Sequence, residues 1–155
     1  MSPEEIESWF PSLKQEGWKP TSEETEEYNC IAWAADDMTR KWDPETTGGR
    51  YWPNDVPRNL ELMTFVSLFG QLGYLPCGFN SDLEAGFEKV AIYCNYNPQL
   101  QAIEVTHAAK QLPSGKWTSK LGNVDDIEHN TLTALGGAWP AYGTVKQIMK
   151  RPANR

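Results

Sequence analysis

Leu60, Phe65, Leu68, Phe69 and Leu72 recur at helical spacing and lie along one stripe. The spacing predicts a helix over 58–72, ended by Gly73. From Phe87 the period shortens to that of a strand. The segments FEKVAIYC, QAIEVTHAAKQL and KWTSKLG each read as a strand, and Pro113, Ser114 and Gly115 turn the chain between the last two. GTVKQIMKR at 143–151 predicts a last strand, and Asp125–Leu135 a short helix. Near the start, Ser2 can cap a helix that has Pro3 at its first position and Glu4 and Glu5 in its first turn, and Pro11 ends it. The stretch EGWKPTSEETEEY reads as loop, and so does KWDPETTGGRYWPNDVP. Between them, Asn29 caps a helix that carries Cys30 in its first turn and Ile31–Ala35 after it. Helices precede a meander, which predicts an α+β class. We expect an antiparallel sheet of about four strands packed against an N-terminal helical part carrying Cys30. The chain reads as a single domain over 1–155, with the helical part at about 1–75 and the sheet part at about 86–151.

Composition narrows the partners. The 155 residues carry a formal charge of −7, and the isoelectric point is about 4.8. Nucleic acid is therefore not expected as a partner, because it selects a basic surface. No run approaches the length of a membrane span, and the first ten residues are acidic where a secretory signal is basic and then apolar, so the expectation is a cytoplasmic protein. Eight Glu lie in residues 1–30, whereas Lys146, Lys150, Arg151 and Arg155 follow Ala141 with no acid; two solvated ends of one domain account for this. Seven Trp, six Tyr and five Phe give 12% aromatics, enough to build a core or to line a cleft.

The three cysteines, Cys30, Cys77 and Cys94, form no CxxC pair, which argues against a disulfide framework or a zinc module. Cys30, His107, His129 and Asp126 lack metal-ligand spacing, so neither a metal nor a cofactor is expected. There is no phosphate-binding glycine motif and no GxSxG elbow. Cys30 holds a different interest. Free N–H groups at a helix start favour a thiolate and can also bind an oxyanion. A cysteine nucleophile needs an imidazole base and a group to orient it. His107 lies mid-strand, with Ile103, Val105 and Ala109 on its face, and that face should meet a helix. If Lys116 opposes Leu112, then Ser119 opposes Ala109 and lies diagonal to His107; a one-residue slip would bring Lys120 there instead. Tyr28, Asn29, Trp33 and Trp117 are possible pocket or orienting residues. The plainer alternatives are a buried small Cys30, a core His107, a helix-end His129 and structural Cys77 and Cys94.

A capped cysteine helix followed by a sheet with His on one strand and a polar residue on the next resembles the papain-like thiol hydrolase superfamily, in its small bacterial amidase and peptidase branch. The strings YNCIAWAA, FEKVAIY, THAAKQLPSGKWTSKLG and DIEH also resemble an uncharacterised bacterial family of small proteins. The superfamily resemblance implies Cys30 as nucleophile, His107 as base and Ser119 as the orienting residue. It implies hydrolysis or acyl transfer at an amide or ester bond of a peptide or amide substrate. The alternative is a non-catalytic partner-binding or immunity-type protein that keeps such a fold. The sequence sets no oligomeric state.

Overall fold

In the computed structural model, which describes residues 1–153, the helices begin where side-chain caps place them. Ser2 accepts from the Glu5 N–H at 3.2 Å and starts α1 (Pro3–Trp9); α2 (Ser12–Glu16) follows at once. Asn29 caps α3 (Cys30–Ala34). The helix expected over 58–72 is α4 (Leu62–Gln71). It starts late because the Asn59 side chain accepts from the Glu61 N–H, and the Leu60 carbonyl accepts from the Val105 N–H at 2.8 Å. Glu61 is thereby held extended as the residue before the helix. Arg155 lies outside the described residues.

The sheet corrects the expected fold class. Among the described residues it has seven strands, not about four: β1 (Trp18–Pro20), β2 (Leu75–Pro76), β3 (Phe87–Asn97), β4 (Ala102–Gln111), β5 (Trp117–Lys120), β6 (Asp126–His129) and β7 (Thr144–Pro152). Their order is β1-β6-β5-β4-β3-β7-β2, and every pairing is antiparallel. β1 forms in a stretch expected to be loop and β2 just past the helix expected to end at Gly73, and the two close the edges of the sheet; the helices are few and short and form no separate layer. β6 takes the first half of the helix expected over 125–135. Its residues pair on both sides, Asp126 with Lys120 of β5 and His129 with Trp18 of β1, and this ladder overrides local helix preference. Only a 3₁₀ turn at Thr133–Leu135 remains.

Two apolar cores cover the two faces of the sheet. On the first face, α3, α4, Trp42, Trp52 and Val56 pack on Val90, Ile92, Val105, Ala108 and Met149. On the second, Ile6, Phe10 and Leu13 from the first two helices join Leu132, Leu135 and Ala141 over Ala91, Tyr93, Ala109, Trp117, Ile127 and Ile148. A bulge in β4 redistributes side chains between them. Tyr93 pairs with His107 and Cys94 with Val105, so Thr106 is an extra residue. Val105 therefore packs in the first core, while His107 and Ala109 turn to the second. The expectation that Val105 and His107 share a face is corrected by this one residue. Gly143 is required where β7 starts: its φ is +85°, and a Cβ there would lie 2.1 Å from the Cys94 carbonyl oxygen.

Candidate functional site

Asn29 fixes the position of Cys30 with three hydrogen bonds. Its Oδ1 accepts from the N–H groups of Ala32 and Trp42, each at 3.1 Å, and its Nδ2 donates to the Trp42 carbonyl at 2.8 Å. One side chain thus starts α3 and ties it to the following loop. Asn29→Ala should cost about 2 kcal/mol, the upper end for a lost cap, because the loop contacts go with it. Urea unfolding measures this, and a loss below about 0.5 kcal/mol, the size of an ordinary surface change, would show that the cap is dispensable.

The thiol departs from the expectation for a helix start. Burial pushes Cys30 up to about 11, although the N–H groups of Ala108, Ile31 and Cys30 itself and the Lys120 ammonium pull the other way. α3 is five residues long, and in so short a helix desolvation outweighs the end charge. At neutral pH the group is a protonated thiol.

Its setting is a seam in the sheet. The β4–β5 ladder holds only Lys110 opposite Thr118 and Gln111 opposite Trp117. β5 continues through Ser119 and Lys120, which pair with β6 instead. His107, Ala108 and Ala109 of β4 therefore have no β5 partner. Cys30 comes to this seam from the first face, where the Ala108 N–H meets its sulfur. His107 comes from the second face, its ring stacked on Tyr142 at 4.1 Å and tilted against Tyr93 at 5.4 Å. The helix that begins at Cys30 thus covers the face opposite the imidazole, contrary to the expected packing. No hydrogen bond joins the two groups, and the buried His107 Nδ1 has no partner.

Ser119 is where the expected register puts it. Its hydroxyl lies 2.9 Å from His107 Nε2. The same oxygen lies 2.8 Å from Nε2 of His129, whose Nδ1 lies 2.8 Å from the Thr131 carbonyl. All three side chains are fully buried. Lys120 takes no part in holding the imidazole: its ammonium donates to the Gly122 and Val124 carbonyls and lies 5.5 Å above the Tyr28 ring. Tyr28 donates to Asp126 at 2.6 Å and stacks on Trp33, and Trp33 donates to Thr118. Trp117 packs within the second core. On the Cys30 face, a cavity of about 350 Å³ is lined by Trp33, Met38, Lys110, Leu112 and Thr118 among others. His129 is the residue sequence reasoning missed. The signal was the alternation of DIEH, which puts Ile127 and His129 on one face of a strand.

Burial acts on both imidazoles. It holds His107 well below its ordinary value, with His129 adding to the effect, and lowers His129 to about 4 although the Thr131 carbonyl opposes this. Among the described residues no three His, Cys, Asp or Glu side chains gather as a metal site. No helix among them is long and apolar enough to cross a membrane. A family model described as a domain of unknown function (DUF7689) matches residues 19–150. No curated protein and no solved structure matches the chain.

Proposed function

We propose that this chain, which belongs to the DUF7689 family of domains of unknown function, is a cysteine-dependent hydrolase or acyl transferase acting on an amide or ester bond. The observation that carries the reading is the seam where β4 and β5 part: the Cys30 sulfur borders it from the first face at the Ala108 N–H, and His107, bonded to Ser119, borders it from the second. Cys30 Sγ attacks the carbonyl carbon as its proton passes to His107. The N–H groups around the sulfur bind the oxyanion, and collapse returns the proton to the leaving group and leaves a thioester. Water or a second acceptor then takes the acyl group. The resting sulfur is a neutral thiol without a bond to the base, so substrate must open the seam before attack. The three cysteines are free, which supports a reducing compartment, the cytoplasm.

The complete burial of His107 and the high thiol pKa favour a second reading, a partner-binding or immunity-type protein in which these groups serve only as core. Incubation with p-nitrophenyl acetate separates the two. The enzyme reading expects a nitrophenolate burst and one acetyl group mapped to Cys30, both lost in Cys30→Ala and His107→Ala proteins that keep the native fold. Acetylation of Cys30 no faster than of Cys77, or undiminished by His107→Ala, would assign the chain to the binding class.

A further inference from the structure

We infer that His129 is a positioning residue that acts through Ser119 to fix which nitrogen of His107 carries the proton. This inference rests on the proposed function, in which His107 is the base.

Hydrogen-bond bookkeeping forces the assignment. The Thr131 carbonyl can only accept, so His129 Nδ1 at 2.8 Å carries the hydrogen. Burial keeps the ring neutral, and a neutral imidazole has one donor and one acceptor, so His129 Nε2 is bare. It accepts the Ser119 hydroxyl hydrogen across 2.8 Å. A hydroxyl has one hydrogen, and Ser119 has now used it. At 2.9 Å from His107 Nε2 the same oxygen must accept, so His107 Nε2 carries its ring's hydrogen. His107 is also neutral, and its Nδ1 is therefore a bare lone pair.

That lone pair is the buried atom with no partner. The neighbouring aromatic groups do not occupy it: the Tyr93 hydroxyl donates to the Leu132 carbonyl, and Tyr142 presents the face of its ring. A general base must offer a lone pair to the proton it removes. Serine alone cannot choose between tautomers, because its hydroxyl either donates or accepts. His129, anchored on a carbonyl, makes the choice. This explains how a serine can serve where imidazole orientation normally calls for a carboxylate or an amide.

The chain has two histidines, so long-range ¹H–¹⁵N correlation spectra of ¹⁵N-histidine-labelled protein at pH 7 resolve both. We expect His107 protonated at Nε2 and bare at Nδ1, and His129 the reverse. His129→Phe removes the acceptor, so Ser119 turns its hydrogen to His107 and the proton moves to Nδ1. Acylation of Cys30 by p-nitrophenyl acetate should then fall about 100-fold, the low end for loss of a general base. His129→Gln keeps an acceptor near the Nε2 position and should restore both the tautomer and most of the rate. A wild-type His107 protonated at Nδ1 overturns the inference, as does a His129→Phe spectrum with an unchanged His107 tautomer. If His129→Phe does not fold, the wild-type spectrum decides. Absence of Cys30 acylation in every protein, with the tautomers as stated, would overturn the hydrolase reading instead.

Discussion

Lys89→Met should lower the unfolding free energy by about 3 kcal/mol, the sum of two charge-assisted hydrogen bonds at the low end of their range. Lys89 is fully buried in β3, an unusual place for an ammonium group. Its Nζ donates to the Asn80 and Asp82 carbonyls, each at 2.8 Å, and pairs with Glu84 at 2.9 Å. One cation thus gathers three points of the loop that leads from β2 into β3. Gln111 donates to the Ser81 carbonyl of the same loop at 2.9 Å. Methionine keeps the apolar stem and deletes only the charge, so packing loss contributes little. The two carbonyls lose their donor, and the loop gives up its anchor on the sheet. Urea unfolding at pH 7 gives the stability change, and limited proteolysis between residues 78 and 84 reports the released loop. A change below about 1 kcal/mol, the net value of one ordinary hydrogen bond, would mean that water replaces the ammonium freely and the clamp idea fails.

The same loop shows what a sequence hides. LPCGFNSDLEAG has no period, so nothing in it announces a fit around a lysine from the next strand. By contrast, the cap at Asn29, the stripe of α4 and the turn at Pro113–Gly115 are local features, and each is legible because its cause lies within a few residues. The register of β4 against β5 followed from that turn, and it placed Ser119 beside His107 without any knowledge of the rest. Three strands were missed because their cause is remote. β1 and β2 are three and two residues long, and they are strands only because β6 and β7 offer edges. β6 itself needs both neighbours. The bulge at Thr106 was equally illegible: no residue there is unusual, and its effect is to move His107 to the face opposite α3. Burial of the sulfur is a property of the assembled cores: the helix start exerts one influence on the thiol, and desolvation, which no local pattern reveals, exerts the larger one.

Acidification from pH 6.5 to 5 should remove about 3 kcal/mol of stability, shared by the two imidazoles. Both are buried with lowered proton affinity, His129 at about 4 and His107 well below its ordinary value. In the unfolded chain each titrates near 6.5. The unfolded state therefore binds protons in this window while the folded state does not, so stability is complete above about pH 6.5 and falls as the pH drops. Each ring that is neutral when folded and ordinary when unfolded contributes roughly 1.5 kcal/mol across the interval. Glu84, held low by Lys150 and Lys89, acts in a different window, because its contribution is lost only as the pH falls below the ordinary carboxylate range near 4. Urea unfolding at half-unit steps measures the slope, and His129→Gln should roughly halve it by removing one of the two groups. A slope that is flat over this window, or unchanged in His129→Gln, would mean that the folded protein already takes up these protons. The His107–Ser119–His129 chain would then carry a charge within that window, where the hydrogen directions that follow from neutral rings would not hold.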